Sequence, residues 1–474
     1  MKKVLSSMLM LAICFCSIFG VFAGKTYATE YAGVDLAKTV SGGAYHAAAV
    51  KPDGSLWIWG NNGSFQLGVD NEDPSYNAFS PERVFEGGIA MVSLGGFHSM
   101  AITEDGELYG WGQNTSGQLG LGDYANKATP FLVMESVAAV SSGFQHTLAI
   151  KKDGTLWSWG KNDYGQLGTG EWYTLNTPTQ IMEDVISVAA GTYHNIALKS
   201  DGTLWSWGYN TYGQLGTGDT QISNAPVQIM EGIEIDSMSC GNAHSAVLTT
   251  AGDLYMFGQN SSYQVGIETQ SNPVLTPTIV LSDVKQVQCG NVHTIAVKNN
   301  GDLYVWGANN RRQCLPGNTE LLNLIEPTYF IGGVDYIASG ADFNLLVKNG
   351  NELYGYGWNF EGELGQGNRH NFDTEVLILE EIAPPGIIEP PVTPTPEPPA
   401  TPTPTPLVTP SPEPPATPTP APLVTPSPEP SITPTPEPDP SDIPAAGAVS
   451  LAAIGILTAV TGAGVVLFSK SHKK

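Results

Sequence analysis

Gly191-Thr192-Tyr193-His194-Asn195-Ile196-Ala197-Leu198-Lys199-Ser200-Asp201-Gly202-Thr203-Leu204-Trp205-Ser206-Trp207-Gly208 is the stretch whose reading decides the fold. Two short apolar segments flank Asp201-Gly202, a dipeptide that tolerates positive φ and marks a tight hairpin turn. Asn210-Thr211-Tyr212-Gly213-Gln214-Leu215-Gly216 follows, then a loop, then a Pro-led strand, Ala225-Pro226-Val227-Gln228-Ile229-Met230. Three or four short strands therefore occupy about fifty residues, with no helical periodicity between them.

The unit recurs. Its apolar strand ending in Gly appears seven times, and the closing glycines, from Gly60 to Gly357, lie 52, 48, 48, 50, 49 and 50 residues apart. A fifty-residue unit of short strands repeated seven times predicts a seven-bladed all-β propeller over residues 29–383. The segment Val34–Val40 lacks a preceding Pro-led partner and Glu375–Ile382 lacks a following one. Pairing them in one shared blade would close the ring and cover both edges.

Gly-x-x-His, Asp-Gly-x-Leu-Trp-x-Trp-Gly and Asn-x-x-Gly-Gln-Leu-Gly, recurring together in register, resemble the regulator-of-chromosome-condensation repeat. Copy six departs at Gln313-Cys314-Leu315, and copy seven has Phe343 for His and Glu363 for Gln. The resemblance implies several activities. Nuclear members exchange guanine nucleotides and bind chromatin; exported bacterial members look like inhibitors of serine β-lactamases that use aromatic loops on one face.

Charge and the chain ends narrow these. The sequence holds 45 acidic and 20 basic residues, a formal charge of −25. Such a field repels nucleic acid, whose binding needs Lys and Arg to displace counterions. Met1-Lys2-Lys3 followed by the apolar run 4–22, with small residues at Ala23 and Ala28, reads as a secretory signal over residues 1–28. Residues 384–440 are rich in Thr-Pro and Ser-Pro, a composition that favours extended polyproline II and predicts a stalk on the order of 150 Å long. Residues 441–474 hold the uncharged run 445–468 followed by Lys470, Lys473 and Lys474, the pattern of a transmembrane helix with a cytoplasmic stop. Ile443-Pro444-Ala445-Ala446-Gly447 ahead of it resembles a degenerate sortase sorting signal, with Ile for Leu and Ala for Thr. The chain is expected to be exported and tethered at the cell surface.

Six of the eight histidines fall on one repeated position: His46, His98, His146, His194, His244 and His293. Phe343 at the seventh position can neither ligate nor transfer a proton, so these are read as hydrogen-bonded core residues rather than a metal ring or bases. The tryptophans are expected to fill the core between blades. Cys240 and Cys289, at matching positions, are read as small buried residues. No catalytic or phosphate-binding motif and no metal-ligand spacing emerges, so neither enzymatic activity nor a cofactor is expected; Asp70-Asn71-Glu72-Asp73 is read as a solvated acidic loop.

Function is expected where the repeats differ, in the loops after Gln-Leu-Gly, which must open on one face. These loops hold the candidate partner-binding residues Tyr76, Tyr124, Trp172, Tyr173, Arg369, His370 and Phe372, of the types that anchor interfaces. The leading expectation is an extracellular protein partner. The alternatives are a glycan partner, including a wall-acting enzyme, and a β-lactamase-inhibitor-like propeller.

Overall fold

The computed structural model describes residues 39–69, 73, 76–268, 272–318 and 320–382. They form seven sheets of four antiparallel strands each, every sheet built from consecutive strands. Blades 1 to 7 cover residues 40–85, 89–134, 137–182, 185–230, 235–281, 284–331 and 334–379. Blade 4 shows the plan: an inner strand Val185–Ala190, a second His194–Lys199, a third Leu204–Gly208 and an outer Ser223–Met230. The Asp201-Gly202 turn joins the second and third strands, with Gly202 at φ +82°. The inner strands of the blades line a central channel.

Burial follows that order. The second strand is almost wholly buried in every blade, and the outer strand is mostly exposed or half-buried. Of the two aromatics on the third strand, the second fills the core between blades: Trp59, Trp111, Trp159, Trp207, Phe257, Trp306 and Tyr356 are fully buried. The first is only half-buried, because alternation turns it to the other sheet face. There Lys51 lies over Trp57 and Lys151 over Trp157, 5.1 and 4.8 Å from the ring centroids. The tryptophan expectation is therefore corrected in part: Trp57, Trp157 and Trp205, three of the eight on third strands, lie on the outward face.

The expected shared blade is also corrected. Val40–Gly42 pairs with His46–Val50 inside blade 1, and Val376–Leu379 pairs with Glu352–Gly357 inside blade 7. Each repeat opens on the strand ahead of Gly-x-x-His, so the two terminal strands complete their own blades. The seam between blades 7 and 1 closes by packing and backbone contacts instead. The Ala341 amide donates to the Gly43 carbonyl at 3.1 Å, and Trp59 Nε1 donates to the Glu363 carbonyl at 2.8 Å. Val40, Ala47, Phe343, Leu345 and Leu364 share one core across it.

Outer strands present unpaired edges, and the fold protects them with proline. Pro81, Pro130, Pro178, Pro226, Pro277 and Pro327 lie within the outer strands of blades 1 to 6, where a missing N–H blunts edge-to-edge pairing. Blade 7 lacks the proline; its outer strand is only 4 residues long and flanked by Glu375, Glu380 and Glu381. Cys289 is buried and Cys240 half-buried, and both line the channel, so Cys240 departs from the expected core role. No helix long and apolar enough to cross a membrane occurs among the described residues. The signal over 1–28, the stalk over 384–440, the anchor over 441–474 and most of the acidic loop at Asp70–Asp73 lie outside them.

Candidate functional site

The repeated histidines are built into the seams between blades. Each Nε2 meets the residue that follows the repeated position in the next blade: His46 to Ser99 at 3.0 Å, His98 to Thr147 at 3.0 Å, His146 to Asn195 at 2.7 Å. The series continues with His194 to Ser245 at 2.9 Å, His244 to Thr294 at 3.1 Å and His293 to Asn344 at 2.9 Å. Those partners in turn donate to a Gln carbonyl: Ser99 to Gln66, Thr147 to Gln118 and Asn195 to Gln166, at 2.7, 2.8 and 2.7 Å. A hydroxyl that spends its hydrogen on a carbonyl can only accept from the ring, which assigns the Nε2–H tautomer to the imidazoles. Burial lowers the histidine pKa values to about 3 in blades 1, 2, 4 and 5 and about 4 in blades 3 and 6, so the rings are neutral.

The motif spacing has a steric cause. A Cβ at Gly43 would lie 2.6 Å from the His46 ring, and one at Gly143 would lie 2.1 Å from the His146 ring. Gly-x-x-His is thus a glycine that clears space for its own imidazole. At the seventh seam Phe343 replaces the histidine, and the position that would receive it, the residue after His46, is Ala47. Donor and acceptor are removed together, and the pair is apolar. These residues hold the ring and reach no solvent.

The face that does reach solvent carries two loop sets: Gly-x-x-His loops between inner and second strands, and the loops between third and outer strands. They are joined by the backbone, as where the Tyr209 amide donates to the Tyr193 carbonyl at 2.8 Å. On blades 1 to 4 these loops form a continuous aromatic arc. Tyr45–Phe97, Phe97–Phe144 and Phe144–Tyr193 have centroids 5.3, 5.7 and 6.4 Å apart. Tyr164 lies 5.0 Å from Tyr193 and 4.8 Å from Tyr209, and Tyr212 lies 6.3 Å from Tyr209. Tyr45, Phe144 and Tyr193 line the channel mouth, which opens into a cavity of about 360 Å³.

The opposite arc of the mouth is polar: Asn242, Asn291 and Asp342, from blades 5 to 7. Asp342 is the one charged residue lining the cavity. Burial raises its pKa, against the opposing pull of Arg311, whose Nε lies 3.4 Å from Oδ2. Arg311 also stacks on Trp358 at 4.3 Å, and Trp358 stacks on Phe360 at 5.8 Å. Beneath this edge Glu363 occupies the position of the motif glutamine, fully buried, and burial pushes its pKa up to about 8.

The loop residues singled out from sequence share this face but not one site. Tyr124, Trp172 and Tyr173 are exposed, at 52, 52 and 60%, on the outer loops of blades 2 and 3. Tyr76 donates to the Glu82 carboxylate, and Tyr76 and Phe372 pack against the core of the closing seam. Arg369 stacks over Phe79 and Phe360 at 5.0 and 5.6 Å. The His370 side chain is exposed while its carbonyl accepts from Asn359 Nδ2 at 2.8 Å. The mouth arc was missed by that reading. Its signal was present as an aromatic directly before the repeated histidine (Tyr45, Phe97, Tyr193) and at the third position of Asn-x-x (Tyr164, Tyr212). Among the described residues no group of three or more His, Cys, Asp or Glu is placed to hold a metal.

A seven-bladed ring with an aromatic mouth and a neutral, fully buried histidine relay defines a repeat propeller. A model of the RCC1-like domain family matches residues 25–331, and the chain belongs to that family. It is 44% identical over 94 residues to the probable E3 ubiquitin-protein ligase HERC3 of Homo sapiens, covering 19% of this chain and 9% of the relative. It is 42% identical over 97 residues to the ultraviolet-B receptor UVR8 of Arabidopsis thaliana, covering 20% of this chain and 21% of the relative. The chain thus spans less than a quarter of the length of these relatives. Human WBSCR16 has the same fold at TM-score 0.61 and 22% identity, over 69% of this chain and 94% of that one. Yeast RCC1 (Prp20), in its complex with Kap60, superposes at TM-score 0.60 and 24% identity, over 65% and 80%.

Proposed function

We propose that this chain is a cell-surface interaction module that binds an extracellular protein through the loop face around its channel mouth, without catalysis. The observation that carries this reading is the arc of aromatics running unbroken from Tyr45 to Tyr212. Tyr and Phe give large contact area at low conformational cost, the composition of interface anchors. Tyr124, Trp172 and Tyr173 extend the same face outward. Yeast RCC1 (Prp20), a protein of the same fold, is bound by Kap60 in its structure. Export and tethering rest on the residues of the two chain ends.

Affinity capture with the full chain tests the reading, run against extracellular proteins and wall glycans. A Tyr193→Ala/Tyr209→Ala variant and a Trp172→Ala/Tyr173→Ala variant serve as controls. A protein enriched by the wild type and depleted at least tenfold by the first variant supports it. Retention of glycan alone assigns the face to carbohydrate and removes the protein-partner reading.

A further inference from the structure

We propose that the partner inserts a basic side chain, lysine or arginine, into the channel mouth, where Asp342 and the aromatic arc receive its charge. This rests on the protein-binding reading and names the chemistry of the occupant. Three observations carry it. First, the mouth combines three kinds of group that attract a cation: a carboxylate at Asp342, the amides of Asn242 and Asn291, and the aromatic rings of Tyr45, Phe144 and Tyr193. An aromatic face within about 6 Å of an ammonium or guanidinium attracts it through the ring quadrupole. Asp342 is the one carboxylate among the groups lining the cavity. No positive charge stands in that lining; Arg311 reaches Asp342 from outside it.

Second, the basic side chains that this face owns are already engaged. Lys161 pairs with Asp163 at 3.3 Å, Arg312 with Asp373 at 2.6 Å, and Arg369 lies over Phe79 and Phe360. Arg311 pairs with Asp342 from the side of Trp358. Its guanidinium is held back on that indole, and the cation beside the tyrosine arc, Lys161, is the one paired with Asp163. On the outward side of the blades, by contrast, lysines do lie over the half-buried aromatics Trp57, Trp157, Tyr304 and Tyr354.

Third, the charge of the body is complementary to such a partner. Residues 39–382 hold 36 acidic and 13 basic residues, a balance that steers a basic surface toward the propeller and repels an acidic one. The cavity of about 360 Å³ beneath the mouth accommodates a side chain and leaves no room for a folded element. The partner is therefore a protein that presents Lys or Arg at the tip of a loop.

The probe is a short cyclic peptide with one lysine at its tip, compared with the same peptide carrying norleucine there. Binding to the full chain is followed by NMR at low ionic strength. The lysine peptide is expected to shift tyrosine ring signals and to bind at least fivefold more tightly than the norleucine peptide. Asp342→Asn should abolish that preference. Arg311→Gln, which removes the competing guanidinium, should strengthen lysine-peptide binding by threefold or more, a gain that no misfolded variant would give. Equal binding of the two peptides, or a lysine preference untouched by both substitutions, overturns the proposal. A partner captured as above that binds Asp342→Asn as tightly as wild type also overturns it, while leaving the protein-binding reading intact.

Discussion

At the residue scale, an imidazole in this ring has meaning only as half of a pair. His194 donates to Ser245, and Ser245 donates to the Gln214 carbonyl at 2.8 Å. The Phe343 and Ala47 seam is the apolar version of the same pair, and it makes a direct prediction. His194→Phe alone should destabilise the chain by about 1–3 kcal/mol, because Ser245 loses its donor in a buried site. Adding Ser245→Ala should recover half of that or more, and denaturant unfolding of the four-member cycle measures it. The neutral rings also set an acid limit. Their folded pKa values lie at about 3 to 4, below the ordinary 6.5, so the unfolded chain binds protons that the folded chain refuses. Stability present above pH 6.5 should fall progressively as pH drops toward 4. A melting temperature that stays constant from pH 7 to 4.5 would contradict this. Glu363 acts in the opposite sense. Its folded pKa of about 8, against an ordinary 4.5, means that ionisation is resisted only in the folded state, so it lowers stability as pH rises between those values. Glu363→Gln restores the residue found in six other blades and should raise the melting temperature by about 2–4 °C at pH 8, with no gain below pH 4.

At the element scale, each blade was legible because its instructions are local. Asp-Gly marks the inner hairpin, and Gly-Gln-Leu-Gly marks a turn whose glycines adopt positive φ, at +71° and +73° for Gly213 and Gly216. Where that glycine is replaced the conformation persists: Phe65, Tyr263 and Arg312 hold φ of 65°, 63° and 64°. The turn geometry therefore belongs to the blade, and glycine only lowers its cost. The motif asparagine is what staples the turn. Asn210 Oδ1 accepts the Leu215 amide at 3.0 Å, while Nδ2 donates to the Asp219 and Gln221 carbonyls at 3.2 and 2.9 Å. Asn210→Ala should leave the blade folded but free its long loop, raising amide exchange over residues 215–221 by about tenfold or more, the loss of roughly 1.4 kcal/mol. Asn210→Asp keeps the acceptor and should protect the Leu215 amide alone.

At the scale of the whole molecule, legibility stops at contacts between repeats. The count of blades followed from spacing, whereas the closing seam did not: that Val40–Gly42 belongs to blade 1 and Val376–Leu379 to blade 7 depends on strand order. The same limit hid the mouth. Tyr45, Phe97 and Tyr193 lie some fifty and ninety-five residues apart in sequence, and only the packing of successive blades brings such residues into one arc. Trp172 and Tyr173 were found because a variable loop shows itself within one repeat, and they stand on the same face but apart from the arc. Hydrogen exchange of the full chain with and without its captured partner locates the proposed contact at the mouth face. Protection is expected in the loops around residues 43–45, 95–97, 143–145, 191–193 and 209–212, with the Asp-Gly turns of the opposite face at 53–54, 105–106, 153–154 and 201–202 unchanged. Protection confined to those Asp-Gly turns or to the outer strands would contradict it.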